Sequence, residues 1–213
     1  MTKKIALITG ASYGLGAALA ETFSKTHHIV AVARTSGALE ELDDRIQSQG
    51  GKMTIAPMDI TDRYAMAHLC KSLYERWSTI DIWAHTAIHA SPLTPASSLD
   101  AKDFEKSVAV NVTATGMLIP YVAALLFDTS RVFFFNDPQS ESKFFSAYGA
   151  TKAAQIALAK SWQAETAHIG PNIEILSPAP MPTATRARFF PGEDKSDLAT
   201  TKAEAERLLR PFL

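Results

Sequence analysis

Tyr148 and Lys152 stand four residues apart in Tyr148-Gly149-Ala150-Thr151-Lys152, so on a helix they share one face. A free tyrosine titrates near pH ~10 and is a poor base at neutral pH. An ammonium beside it favours the phenolate and makes proton transfer at its oxygen feasible. A second group of residues suits a phosphate. Thr9-Gly10-Ala11-Ser12-Tyr13-Gly14-Leu15-Gly16 follows an apolar run, Ile5 to Ile8, and opens a helix-like segment near Leu15. Its glycines let backbone approach a pyrophosphate, and the helix start offers free N–H groups and a partial positive charge. Taken alone, the tyrosine–lysine pair is an exposed polar pair and the glycine stretch an ordinary turn. The elements between them decide the matter.

Apolar runs at 5–9, 29–33, 53–57, 80–84, 132–135 and 173–177 predict strands. Amphipathic segments at 15–26, 37–49, 63–78, 101–126 and 147–168 predict helices, with a final helix over 200–209. The alternation predicts right-handed crossovers and a Rossmann-type, doubly wound parallel sheet of six strands in three α/β/α layers. Ligands in such sheets sit at the carboxyl ends of the strands. The glycine turn follows the first strand, Ala33-Arg34 the second and Asp59-Ile60 the third, while the fifth leads toward Tyr148. Beyond Pro178 the prolines, Arg186, Arg188, Phe189-Phe190 and Pro191-Gly192 predict a long surface excursion. Phe144, Phe145, Met181, Phe189 and Phe190 suit an apolar pocket or ordinary loop packing.

With 213 residues the chain suits one domain, 1–213. A net charge of −1 gives no electrostatic case for nucleic acid or an anionic membrane. Cys70 is the only cysteine, which excludes an intramolecular disulfide and a cysteine metal cluster. The N-terminal apolar run is too short for a signal peptide, so the expected location is cytoplasmic. Residues 108–127 carry no charge, but Asn111, Thr113, Thr115, Gly116 and Pro120 interrupt them. A helix buried against both the sheet and a partner subunit explains this better than a membrane span, and predicts a homodimer or homotetramer.

Together these motifs resemble the short-chain dehydrogenase/reductase family over nearly the whole chain, a resemblance that implies the strand order 3-2-1-4-5-6. Residues 9–16 resemble its T-G-x-x-x-G-x-G turn, and residues 148–152 its Y-x-x-x-K pair. The resemblance implies that Asn111 supports a proton relay through a bound water and that Asp59 contacts an adenine. Ser177-Pro178-Ala179-Pro180-Met181-Pro182-Thr183 resembles the family's P-G-x-x-x-T segment, which touches the nicotinamide. The implied cofactor contacts are Gly10, Ser12, Tyr13, Gly14, Leu15, Gly16, Arg34, Asp59, Ile60, Tyr148, Lys152, Pro178 and Thr183. No acid ends the second strand and Arg34 follows it, which suits the 2′-phosphate of NADP(H) in preference to NAD(H). The implied function is oxidoreduction between an alcohol and a carbonyl of a small molecule.

Three places depart from the family pattern. The catalytic serine, about a dozen residues before the tyrosine, is missing: Asn136 or Asp137 holds its place, and Ser140 and Ser142 are off register. An ionised Asp137 cannot donate a hydrogen bond to a developing oxyanion and would raise the Tyr148 pKa. The family's N-N-A-G reads His85-Thr86-Ala87-Ile88; His85 could titrate near neutral pH, or be a packed histidine. His89 is expected in a loop. The family's seventh strand, after the last helix, is expected to be absent, since only Arg210-Pro211-Phe212-Leu213 follow that helix here. The lost serine and the altered N-N-A-G favour an alternative, a catalytically impaired dinucleotide-binding protein acting as a sensor or partner, while the retained Tyr148, Lys152 and Asn111 argue against it.

Overall fold

The computed structural model describes residues 4–212. Six parallel strands form one sheet in the order β3-β2-β1-β4-β5-β6. They are β1 Ile5–Thr9, β2 His28–Ala33, β3 Lys52–Pro57, β4 Ile82–His85, β5 Arg131–Phe135 and β6 Asn172–Leu176. The intervening helices are α1 Gly14–Phe23, α2 Ser36–Ser48, α3 Arg63–Trp77, α4 Ala101–Ser107, α5 Thr115–Ala123, α6 Ser146–Thr166, α7 Ala184–Phe189 and α8 Thr201–Leu209.

Every residue of β1 and β2 is buried, because helices cover both faces of the sheet. Alternation along the strands sorts their side chains between two cores. Ala6, Ile8 and Phe133 face α1, α2 and α8, with Leu19, Leu42 and Leu208. Leu7, Val132 and Phe134 face α3, α5 and α6, with Met66, Leu118 and Trp162. β1 pairs with both β2 and β4, so the chain reverses its direction of travel across the sheet there. That switch point opens a crevice at the carboxyl ends of β1 and β4.

The elements depart from the sequence expectations in four places. β4 runs later than 80–84, since the Ile80 N–H bonds to Leu125 beyond α5 and not to a neighbouring strand. α1 begins at Gly14 and ends at Phe23, short of Thr26. The helix expected over 101–126 is split by a π-helical stretch, Val108–Ala114, which contains the buried Asn111. The stretch after Pro178 is not a plain surface excursion. It contains α7, and Met181 and Phe189 are buried. α8 packs on α1, and its buried Glu204 accepts the Ala179 N–H at 2.7 Å. Arg207 is the main reason that the Glu204 carboxyl stays ionised more readily than usual. No helix among the described residues is long and apolar enough to cross a membrane.

Phe133 is fully buried between Phe23 and Phe212. Phe133→Ala should cost about 3–5 kcal/mol in urea unfolding. Tyr74→Ala, on the exposed side of α3, should stay within about 0.5 kcal/mol of the unmutated protein.

Candidate active site

The glycine turn is shaped by what its glycines lack. Gly10 has φ +89°, and a Cβ there would lie 2.5 Å from the Ala87 backbone nitrogen. A Cβ on Gly16 would strike the Gly10 carbonyl and the Thr86 hydroxyl. These contacts let the loops after β1 and β4 touch, and the Thr86 hydroxyl ties them by donating to the Thr9 carbonyl at 2.9 Å. The N-cap residue Tyr13 makes no side-chain cap and the first turn of α1 holds no acid, so its N–H groups stay free for an anion.

The turn borders a cavity of about 360 Å³. Gly10, Tyr13, Gly14, Leu15, Gly16, Tyr148, Lys152, Pro178 and Thr183 all line it, as do Asn136 and Asp137. Ile88, Phe145, Met181, Phe189 and Phe190 form an apolar wall. Other expected contacts lie elsewhere. Ser12 lines a smaller cavity of about 200 Å³ beside α1 and α8. Arg34 and Asp59 form an exposed ion pair at 3.9 Å, while Asp59 also accepts the Thr61 N–H and hydroxyl. Ile60 packs in the core. Phe144 is 44% exposed, and its neighbour Phe145 takes the buried position.

Asp137 and Tyr148 meet directly. The Tyr148 hydroxyl donates to Asp137 Oδ2 at 2.9 Å, while Oδ1 accepts the Gln139 N–H at 2.9 Å and begins a short 3-10 turn. Gly149 has no Cβ, which lets the Ser140 carbonyl press against α6 and brings that turn within reach of Tyr148. Asn136 shares the cavity and donates its backbone N–H to Leu176. Burial, then Asp137, raises the Tyr148 pKa. The lysine effect expected from spacing is therefore overcome, because a buried phenolate beside a carboxylate is disfavoured twice. Lys152 is pulled down to about 8 by burial, with Asp137 opposing.

Asn111 lies behind the cavity. Its amide donates to the His89 carbonyl at 3.0 Å and the Thr151 hydroxyl at 2.9 Å, and accepts the His89 N–H at 2.7 Å. It anchors the loop after β4 to α6. His85 is the packed histidine, held between the Thr9 and Thr115 hydroxyls at 2.7 and 3.0 Å. Burial and then Lys152 drive its pKa down to about 3, which overturns titration near neutral pH. Sequence reasoning missed Gln155, which accepts from Lys152 Nζ at 2.9 Å. Its position three residues on, on the same helix face, was the available signal. Thr115 carried no such signal. Among the described residues, no cluster of His, Cys, Asp and Glu could hold a metal.

A family profile described as short chain dehydrogenase matches residues 4–194. The chain belongs to the short chain dehydrogenase family. A fatty acyl-CoA reductase of Acinetobacter baylyi is 30% identical over 168 residues, 76% of this chain but only 57% of that relative. A short chain dehydrogenase structure from Pseudomonas syringae superposes with a TM-score of 0.87 at 25% identity, covering 94% of this chain and 85% of its own. Another, from Shigella flexneri and complexed with NADP, gives 0.81 at 23% identity, covering 95% and 87%.

His85 makes stability depend on acid. Its pKa falls from 6.5 to about 3 on folding. Between those values the unfolded chain binds a proton that the folded chain refuses. Stability therefore declines as pH falls through that window, by up to about 1.4 kcal/mol per unit from this group. Urea unfolding at about pH 7 and about pH 5 should show the loss, and His85→Asn should reduce it.

Proposed function

We propose that the protein is an NADP(H)-dependent oxidoreductase interconverting an alcohol and a carbonyl. The observation carrying this reading is that Tyr148, Lys152 and the uncapped glycine turn border one cavity. The residues fit a dinucleotide: the glycine cradle would be filled by any Cβ, and the free N–H groups of α1 suit a pyrophosphate. Gly14 and Thr183 both line the cavity and lie close together: a Cβ on the glycine would be 3.3 Å from the threonine methyl. When bound, the nicotinamide supplies or accepts the hydride.

The protein's own residues handle the proton. Tyr148 moves it between its hydroxyl and the substrate oxygen, and Lys152 holds the cofactor ribose. Asn111 supports the relay by fixing the loop after β4 against α6. The Tyr148 hydroxyl has one proton, which points at Asp137. Giving it to a substrate requires breaking that bond, or a protonated Asp137 that returns a proton as Tyr148 releases its own. We read Asp137 as standing where the family's serine acts. An apolar wall favours an apolar carbonyl compound, in keeping with the name of the Acinetobacter relative.

Arg34 supports NADP(H). Its exposed pair with Asp59 is long and worth little, so a 2′-phosphate can displace it. The NADP bound by the Shigella relative agrees with this choice. NADPH should bind more tightly than NADH. Arg34→Ala should weaken NADPH selectively by about 1.5–3 kcal/mol, the strength of a charge-assisted contact. Equal affinities in fluorescence titrations of the unmutated protein would count against NADP(H).

A second reading, a dinucleotide-binding protein with impaired catalysis, is favoured by the raised Tyr148 pKa and its tie to Asp137. Kinetics with a panel of carbonyl compounds separates the two. Under the oxidoreductase reading, turnover is weak and Asp137→Ser raises it, because one oxyanion donor is worth roughly 2.7–4 kcal/mol. Adding Tyr148→Phe should abolish the gain. NADPH binding without turnover in the unmutated protein and in Asp137→Ser would support the second reading.

We also propose that two copies pair through α5 and α6, whose outer faces expose Met117, Ala150, Ala153 and Ala157. Light scattering at micromolar concentration should give at least a dimer, and a monomer would refute the pairing.

A further inference from the structure

Lys152 does not stand alone beneath the cavity. An ammonium has three N–H donors and no acceptor. One donor goes to Gln155 Oε1 at 2.9 Å, so the amide NH₂ faces the other way, 3.1 Å from Thr115 Oγ1. Thr115 gives its own proton to the Asn111 carbonyl at 2.9 Å. It must therefore accept from both Gln155 and His85 Nε2. That places the His85 proton on Nε2 and leaves Nδ1 to accept from the Thr9 hydroxyl at 2.7 Å. The Thr9 oxygen in turn accepts the Trp83 indole N–H at 3.2 Å. All six side chains are buried. The hydrogen bonds are consistent in only one direction, since a flipped Gln155 amide would turn NH₂ toward the ammonium and an acceptor toward a hydroxyl whose proton is already committed.

We propose that Gln155 is a positioning residue whose amide, locked by Thr115 and His85, holds one N–H of Lys152 and aims the other two into the cavity. The proposal rests on the reading of Lys152 as the group that holds the cofactor. A neutral acceptor fixes the ammonium without adding a counter-charge. The titratable groups facing Lys152 are His85 on β4, Tyr148 one turn before it on α6, and Asp137 beyond β5. His85 stays neutral, Tyr148 stays protonated, and only Asp137 offers an opposite charge. Gln155 therefore supplies direction where Asp137 supplies attraction.

The test uses ¹³C-labelled lysines and ¹⁵N-labelled glutamines in the unmutated protein, with pH titration by NMR. Lys152→Met identifies the Lys152 signal by its loss. The Gln155 side-chain amide should shift with the same midpoint as Lys152. Gln155→Glu should raise that midpoint by about one unit or more, as a carboxylate beside an ammonium does. Gln155→Met should lower it, and should weaken NADPH binding about ten-fold, the size of one hydrogen bond. A Gln155 amide that stays flat while Lys152 titrates overturns the proposal without any variant. So does an unchanged midpoint in Gln155→Glu, or unchanged NADPH affinity in a folded Gln155→Met. If the unmutated protein binds no NADPH, the cofactor reading fails by itself, and the two NMR results still judge the Gln155–Lys152 coupling.

Discussion

A lysine ammonium held out of water is the constraint around which the site is arranged. An unpaired buried charge is strongly unfavourable, so the fold must give it partners or let it lose its proton. Here both happen in part. Gln155 accepts from it, Asp137 attracts it across the cavity, and burial still brings its pKa to about 8. Each partner needs support of its own. Gln155 leans on Thr115, which leans on the Asn111 carbonyl in the π-helical stretch. A run of neutral groups extends from the cavity to the centre of the sheet, where Trp83 packs against Phe134 and Trp162. Polar order at the site and apolar order in the core are therefore one structure.

The opposite wall obeys a steric rule. The loops after β1 and β4 approach so closely that neither Gly10 nor Gly16 can carry a side chain. This closeness creates the crevice, and it leaves the start of α1 facing an open space. Tyr148 stands between the two regimes. Its ring packs against Phe145 and Phe189, and its hydroxyl reaches Asp137. A residue that is apolar for most of its length and polar at one atom is suited to that boundary.

Much of this was legible in the sequence, for physical reasons. Strands buried on both faces announce themselves as continuous apolar runs, which is why β1 and β2 could be located from residues 5–33, whereas their order in the sheet came from the family resemblance. The glycine turn and the Tyr148–Lys152 spacing are local, so chain order preserves them. The illegible parts are contacts between distant segments. Nothing near Thr115 announces that it meets both His85 and Gln155. That Asp137 meets the Tyr148 hydroxyl depends on the 3-10 turn that Asp137 begins, and on Ser140 lying against Gly149. The prolines after Pro178 have the texture of a surface loop, yet Phe189 lies 4.9 Å from the Tyr148 ring. Composition cannot tell a loop that wanders from one that covers a site.

Glu204 has a consequence for the order of assembly. It lies on the last long helix, which packs on the first, and it holds the Ala179 N–H of the segment bordering the cavity. Synthesis runs from the N-terminus, so the glycine turn and the first strands leave a ribosome before Glu204 does. A nascent chain holds the glycine turn and the loop after β4 before Glu204 is available to moor the far wall. The cavity thus takes its mature shape only after its second wall has been made, and a ligand that needs both walls would report that event.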